Sequence, residues 1–247
     1  MHKYQILIEY IGTNFIGWQI QSKGKSIQKL IQTKIIKLLN EKIILVGSGR
    51  TDAGVHAIEQ SAHFECKKKI LNLNKFLKSI NYFVNDKDIS IIDIRKRSSN
   101  FHARYSAKQR IYTYVILNRL SKPSIEKERG WHIIKKLDLD LMKKGAKKLI
   151  GTKDFSTFRA SGCNARSPIR TMKSIKIKLI KRNRIEIQFQ SKSFLQQQVR
   201  SIVGCLKYLA ENKWDLKKFE FIFKSRKRVL CAPPAPPHGL FLQKVIY

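Results

Sequence analysis

Residues Gly49-Arg50-Thr51-Asp52-Ala53-Gly54-Val55-His56 place a carboxylate two residues after a fixed cation and four before an imidazole, in a turn bracketed by glycines. The run follows Ile43-Ile44-Leu45-Val46, which reads as a strand over Ile43–Gly47. A strand delivers backbone rigidly, and small residues let a substrate approach closely, so the pattern presents one reactive acid. The plainer alternative is an ordinary Asp ending a strand and bonded to its own backbone. An aspartic-protease dyad is excluded, because no second Asp-bearing partner motif is present.

Two further constellations bear on that choice. Phe101-His102-Ala103-Arg104-Tyr105, followed by Arg110-Ile111-Tyr112-Thr113-Tyr114, interleaves rings with arginines. Rings stack on exposed bases and guanidinium groups hold phosphates, which suits single-stranded or flipped nucleotides. Tyr112 and Tyr114 share one strand face, and Tyr114 reads more readily as a core aromatic with a wet hydroxyl. In Ser193–Gly204, Arg200 lies beside the apolar stripe of Val199, Ile202 and Val203. A cation there needs a carboxylate partner, for which Asp52 is the candidate, or it must snorkel to solvent. Pairing would keep Asp52 ionised, as a nucleophile requires.

Between these lies Phe155–Arg170, a basic, small-residue loop with arginines at 159, 166 and 170. It either clamps a phosphate backbone or is a solvated surface loop. His56, His63 and His102 read as structural or RNA-contacting groups rather than metal ligands. Cys66, Cys163, Cys205 and Cys231 lack zinc-ligand or disulfide-scaffold spacing and read as separate thiols in a reducing cytoplasm.

The elements that position these residues follow from periodicity. Lys3–Tyr10 reads as a strand, and Ser26 caps a helix with Ile27, Leu30, Ile31, Ile35, Leu38 and Leu39 on one stripe. Strands at Ser61–Cys66, Ser90–Arg97 and Ile111–Asn118 are interleaved with a helix at Leu73–Tyr82. The second half opens with a helix capped by Asp138 that stops at Gly151, and continues with strands around Ile175–Leu179 and Ile185–Phe189 turning at Arg182-Asn183. A long helix from about Phe194 and a Pro-rich segment, Ala232–Gly239, precede a last strand at Leu240–Ile246. The expectation is an α+β protein of two halves, 1–105 and 106–247, without an internal sequence repeat.

Composition sets the partner class. Lys plus Arg number 51 against 17 Asp plus Glu in 247 residues, a formal net charge of +34. A polyanion is indicated, nucleic acid first. Ile, Lys and Asn, the residues that AT-rich coding favours, are abundant, so coding bias is an alternative source of part of this charge and the motif arginines weigh more than bulk lysine. No apolar run reaches the ~20 residues of a membrane span. With a strand at the N-terminus and no signal peptide, the expectation is a soluble cytoplasmic protein without membrane contact.

In motif order the chain resembles the tRNA pseudouridine synthase A family over nearly its full length. The motifs are Tyr10-Ile11-Gly12 with Gly17-Trp18-Gln19, the octapeptide 49–56, Phe101-His102-Ala103-Arg104, Tyr112, Phe158-Arg159-Ala160, Phe194–Gly204 and the Pro-rich tail into Gly239-Leu240. The resemblance implies an isomerase converting uridine to pseudouridine at positions 38, 39 and 40 of the tRNA anticodon stem-loop, without cofactor or metal. It implies a homodimer with tRNA as partner, and two ferredoxin-like halves sharing a mixed, mainly antiparallel sheet around a central basic cleft. By position, Asp52 matches the catalytic aspartate, Arg200 its basic partner, Arg50 the base-flipping arginine and Tyr112 the stacking tyrosine. The stretches Phe101, His102, Ala103, Arg104, Tyr105 and Gly162, Cys163, Asn164, Ala165, Arg166 match tRNA contacts.

Departures stand at Gln196-Gln197-Gln198, where the family commonly has a His-His-Met-like segment, and at Ile111, often basic in relatives. The competing readings are a non-catalytic RNA-binding protein on the same fold and a basic ribosome-associated protein. Loss of Asp52, Tyr112 or Arg200 would favour the first, and long disordered basic tails the second. Neither feature is present in the sequence.

Overall fold

The computed structural model describes residues 1–247, apart from the side chain of Arg182. Two compact units divide the chain: Met1–Lys108 with Phe241–Tyr247, and Gln109–Leu240. In class the protein is α+β.

The first unit runs β1 (His2–Tyr10), α1 (Ile27–Leu39), β2 (Val46–Gly47), β3 (His56–Cys66), α2 (Leu73–Val84) and β4 (Ile89–Arg97). β1 lies between β4 and β3, and β2 lies along the other side of β3, every neighbour antiparallel. This is the fourth-first-third-second order of a ferredoxin-like β-α-β-β-α-β unit. The strand that closes the chain, β10 (Leu240–Ile246), adds to β3 in parallel at Phe241↔His56 and Leu242↔Ala57. Tyr4, Ile6, Ile8 and Phe64 from the strands are buried with Ile27, Ile31 and Ile35 of α1 and Phe76 and Ile80 of α2. Ser26 and Asn72 cap the two helices, each side chain accepting a backbone N–H three residues on.

The stretch Ile43–Leu45 forms no strand ladder. Its inner groups are taken instead by α1: Gln32 Oε1 accepts the Leu45 N–H at 2.9 Å and Gln28 Nε2 donates to the Leu45 carbonyl at 2.7 Å. Ile43 and Leu45 are still buried while Ile44 is exposed. The alternation is therefore that of an extended segment, satisfied by side chains. Strand pairing begins only at Val46, and β3 starts at His56, earlier than the Ser61 expected.

The second unit runs β5 (Gln109–Asn118), β6 (Trp131–Ile133), α3 (Leu139–Lys147), β7 (Gly151–Asp154), β8 (Ile169–Ile180), β9 (Arg184–Ser191), α4 (Gln198–Ala210) and α5 (Leu216–Ser225). β9 pairs antiparallel with β5 on one side and β8 on the other, β7 extends β8, and β6 lies parallel to β5. β5, α3, β8, β9 and α4 thus repeat the element order of the first unit without repeating its sequence. Asp138 caps α3 as expected. The helix after Phe194 starts later than its apolar pattern suggests. Gln197 is left-handed, φ 58°, and Gln198 Oε1 accepts the Leu195 N–H at 2.8 Å, so regular helix begins at Gln198. α5, unanticipated among its lysines, is capped by Asp215 and buries Phe219, Ile222 and Phe223.

Candidate active site

The turn that carries Asp52 closes with the Val55 N–H donating to the Asp52 carbonyl at 3.2 Å. Gly54, φ 76°, takes the left-handed position of this turn, a conformation strained for a side chain. On either side the backbone is tied down. Gln60 Nε2, buried on β3, donates to the Gly49 carbonyl at 2.8 Å. The Thr51 carbonyl accepts the Trp18 N–H at 3.1 Å, and the Thr51 hydroxyl shares a 2.8 Å hydrogen bond with the Tyr10 hydroxyl. His56 Nδ1 accepts the Gly12 N–H at 2.9 Å, which holds that ring nitrogen unprotonated.

The loop Gly12–Gln19 presses directly on this turn. A Cβ at Gly12 would stand 2.0 Å from the Val55 carbonyl oxygen, and one at Gly17 2.6 Å from that of Thr51. Trp18 is buried, stacked on Tyr10 with ring centroids 6.2 Å apart. The result is a half-buried carboxylate on a backbone with little freedom. Arg50, two residues before it, is exposed, and its Nε donates to Gln19 Oε1 at 3.0 Å.

Farther along β3, His63 organises the Phe101–Tyr105 segment. The Ala103 N–H donates to His63 Nδ1 at 3.1 Å, and the Arg104 and Tyr105 N–H groups converge on His102 Nδ1 at 3.1 and 3.3 Å. Both rings therefore act as neutral acceptors. Burial first, then the neighbouring His102 and Lys3, lower the His63 pKa to about 4, and burial likewise lowers that of His102. Phe101 and Ala103 are buried and His102 is half-buried, whereas Arg104 and Tyr105 are exposed. Arg104 lies 5.7 Å from the Tyr105 ring centroid, a cation-π pair open to solvent. His56, which follows the Asp52 turn, and His63 are seven residues apart on β3, roughly 20 Å in an extended strand.

In the second unit, Tyr112 on β5 is nearly buried, edge-on to Phe194 at 5.2 Å. Arg200, in the first turn of α4, is half-buried. Its Nε donates to the Ala235 carbonyl at 2.7 Å, and the Ala235 N–H returns a bond to the Arg200 carbonyl at 2.9 Å. The Pro-rich segment is thereby strapped onto α4; a Cβ at Gly204 would meet the Pro233 carbonyl oxygen at 2.1 Å. Tyr114 is wholly buried and donates its hydroxyl to the Pro236 carbonyl at 2.8 Å.

The arginines of the 155–170 loop divide by role. Arg159 turns inward, its Nη2 donating to the Cys163 and Ala165 carbonyls at 2.6 and 2.7 Å. Arg170 Nη1 bonds the Ser167 and Ile169 carbonyls. Arg166 is exposed, together with Gly162 and Asn164, while Cys163 is buried and Ala165 half-buried. Two arginines thus build the loop and one faces solvent.

Gln60 escaped the sequence reading altogether. Its only signal is an amide at an inward position of a strand, and an amide that pins the Gly49 carbonyl cannot be told by type from one that faces water. Among the described residues no group of three or more His, Cys, Asp or Glu could hold a metal ion, and no helix is long and apolar enough to cross a membrane.

A family model described as tRNA pseudouridine synthase matches residues 6–106 and 146–247. The chain belongs to the tRNA pseudouridine synthase family. These are isomerases acting on tRNA. It is 77% identical to tRNA pseudouridine synthase A of Pelagibacter ubique (strain HTCC1062), over the whole of both chains. It is 36% identical, again over both full lengths, to tRNA pseudouridine synthase A of Parvibaculum lavamentivorans (strain DS-1 / DSM 13023 / NCIMB 13966). Among solved structures, an archaeal box H/ACA sRNP Nop10-Cbf5 complex is similar at a TM-score of 0.36 and 10% identity, covering 83% of this chain and 44% of that one.

Proposed function

We propose that this synthase isomerises uridines 38, 39 and 40 of the tRNA anticodon stem-loop, with Asp52 as nucleophile acting on a flipped base. The observation that carries the reading is the Asp52 turn. Two glycines permit its contact with the Gly12–Gln19 loop, and hydrogen bonds hold its backbone on both sides, leaving a half-buried carboxylate. Turning an N-glycosidic into a C-glycosidic bond requires uracil to be detached, rotated and rejoined through carbon. A carboxylate that attacks the sugar at C1′ or the base at C6 can hold one fragment covalently while the other turns, with no net change of oxidation state.

Arg50 is assigned the flipping role: an exposed cation two residues from the nucleophile can occupy the space an extruded base vacates. Tyr112 is assigned stacking on the uracil. Arg200 is proposed as the cation that favours ionised Asp52, its side chain steadied by the Ala235 carbonyl. Arg104, Tyr105 and Arg166 offer exposed charge and ring to the RNA, with the rest of Phe101–Tyr105 and Gly162–Arg166 shaping their loops. A homodimer and a cytoplasmic location belong to the same proposal; sedimentation of the purified chain and cell fractionation check them.

The test is pseudouridine mapping on unmodified tRNA bearing uridines at 38 to 40, with EDTA present. Conversion by the wild type and none by Asp52→Ala supports the reading. Binding without conversion by the wild type would replace it with a non-catalytic RNA-binding role, and equal conversion by both would move the nucleophile elsewhere.

A further inference from the structure

Two thiols of the second unit meet outside everything used above. Cys205, on the buried face of α4, and Cys231, at the end of the single helical turn Arg228–Leu230, have their Sγ atoms 3.4 Å apart. Cys205 is wholly buried and Cys231 is partly exposed. Arg228 Nη1 donates to Cys231 Sγ at 3.1 Å and to the Ser201 hydroxyl at 2.8 Å, fixing a cation on the Cys231 sulfur. We infer that Cys205 and Cys231 form an oxidation site, a dithiol that closes to a disulfide under hydroperoxide.

The asymmetry of the pair assigns the order of events. The Cys205 S–H bonded to Cys231, together with Arg228, favours thiolate at Cys231, whereas that same bond and burial hold Cys205 protonated. The Cys231 thiolate attacks the distal oxygen of a hydroperoxide, ROOH. The O–O bond breaks, ROH departs after taking up a proton, and Cys231 becomes a sulfenic acid. The Cys205 sulfur then attacks the Cys231 sulfur, giving up its proton as the S–O bond breaks and water leaves. The peroxide is reduced by two electrons and the two thiols are oxidised by two.

Closure draws the sulfurs from 3.4 Å to the ~2.05 Å of a disulfide. Cys231 directly precedes the Pro-rich strap whose Ala235 holds Arg200, so the new bond would tether the root of that strap to α4. Disulfides in reducing compartments are typically transient or redox-sensing, which is the class this pair fits.

The experiment treats the full-length protein with hydrogen peroxide, quenches it, unfolds it in alkylating reagent and digests it. The expected result is a cross-linked Cys205–Cys231 peptide lighter by two hydrogens, alkylated Cys66 and Cys163, and full reversal by dithiothreitol. Cys205→Ser should accumulate Cys231 sulfenic acid, captured by dimedone, and Cys231→Ser should leave Cys205 alkylated. Wild-type Cys231 passing to sulfinic acid without a cross-link, or a cross-link through Cys66 or Cys163, overturns the proposal. The wild-type readout stands even if a variant fails to fold, and it requires no isomerase activity.

Discussion

A carboxylate works as a nucleophile at a fixed distance only if its backbone cannot relax away. At Asp52, the proposed nucleophile, that restraint comes from hydrogen bonds of Tyr10, Trp18 and Gln60 to the turn's flanks. The buried Tyr10 and Thr51 hydroxyls share a hydrogen bond, which deleting either hydroxyl removes. Tyr10→Phe and Thr51→Val should each cost about 0.5–1.5 kcal/mol of stability. A cycle including the double variant should show coupling, and Thr51→Ser should retain both stability and rate. If the bond steadies the turn for catalysis, kcat falls in the cycle while KM holds; a purely structural bond would move stability alone. Gly12→Ala pushes a methyl toward the Val55 carbonyl, so the expected loss is about 1–3 kcal/mol by overpacking, measured by denaturant unfolding. The glycines and the acid were legible as types and spacing. That Gly12 and Gly17 serve Asp52 was not, because the approach joins segments some forty residues apart.

The same limit explains which elements could be read. α1 and α3 announce themselves through Ser26 and Asp138, since a cap and an apolar stripe are local facts. The start of α4 is not local. Leu195 and Val199 continue a helical pattern, yet Gln198 uses its side chain to cap the Leu195 N–H, so the pattern runs ahead of the helix. The segment Ile43–Leu45 fails in the converse way, with strand alternation satisfied by glutamines from α1. The loop after β4 likewise depends on a remote ring, His63, and this makes it acid-sensitive. A neutral His63 is favoured in the fold, its pKa lowered from the ordinary 6.5 to about 4. Its contribution is therefore fully present above about pH 6.5 and is lost as the pH falls through about 4. Lys3 and His102 oppose the proton and Glu65 favours it. His63→Asn keeps an acceptor for the Ala103 N–H without titrating, so its stability should fall less between pH 7 and 4 than the wild type's. Denaturant midpoints across that range measure the difference, and parallel curves would remove His63 as the cause.

For the whole molecule, the open quantity is how much of the +34 charge recognises RNA and how much merely decorates the surface. Proteins that displace counterions from phosphates lose affinity linearly in log salt, by about 0.7–0.9 per contact. An unspecific field and a set of placed contacts differ under substitution. Lys75 and Lys78 project from α2, exposed and outside every RNA-facing assignment, whereas Arg104 and Arg166 stand on the two loops assigned to tRNA. Arg104→Ser and Arg166→Ser should each lower the salt slope of tRNA binding by about one contact. Lys75→Ser with Lys78→Ser removes the same total charge as those two together and should leave the slope unchanged. Arg159→Ser should act through a different route, loosening its own loop because its guanidinium bonds carbonyls rather than solvent. Equal slopes for the arginine and lysine pairs would mean that net charge alone steers the tRNA, and the contact roles of both loops would then be lost.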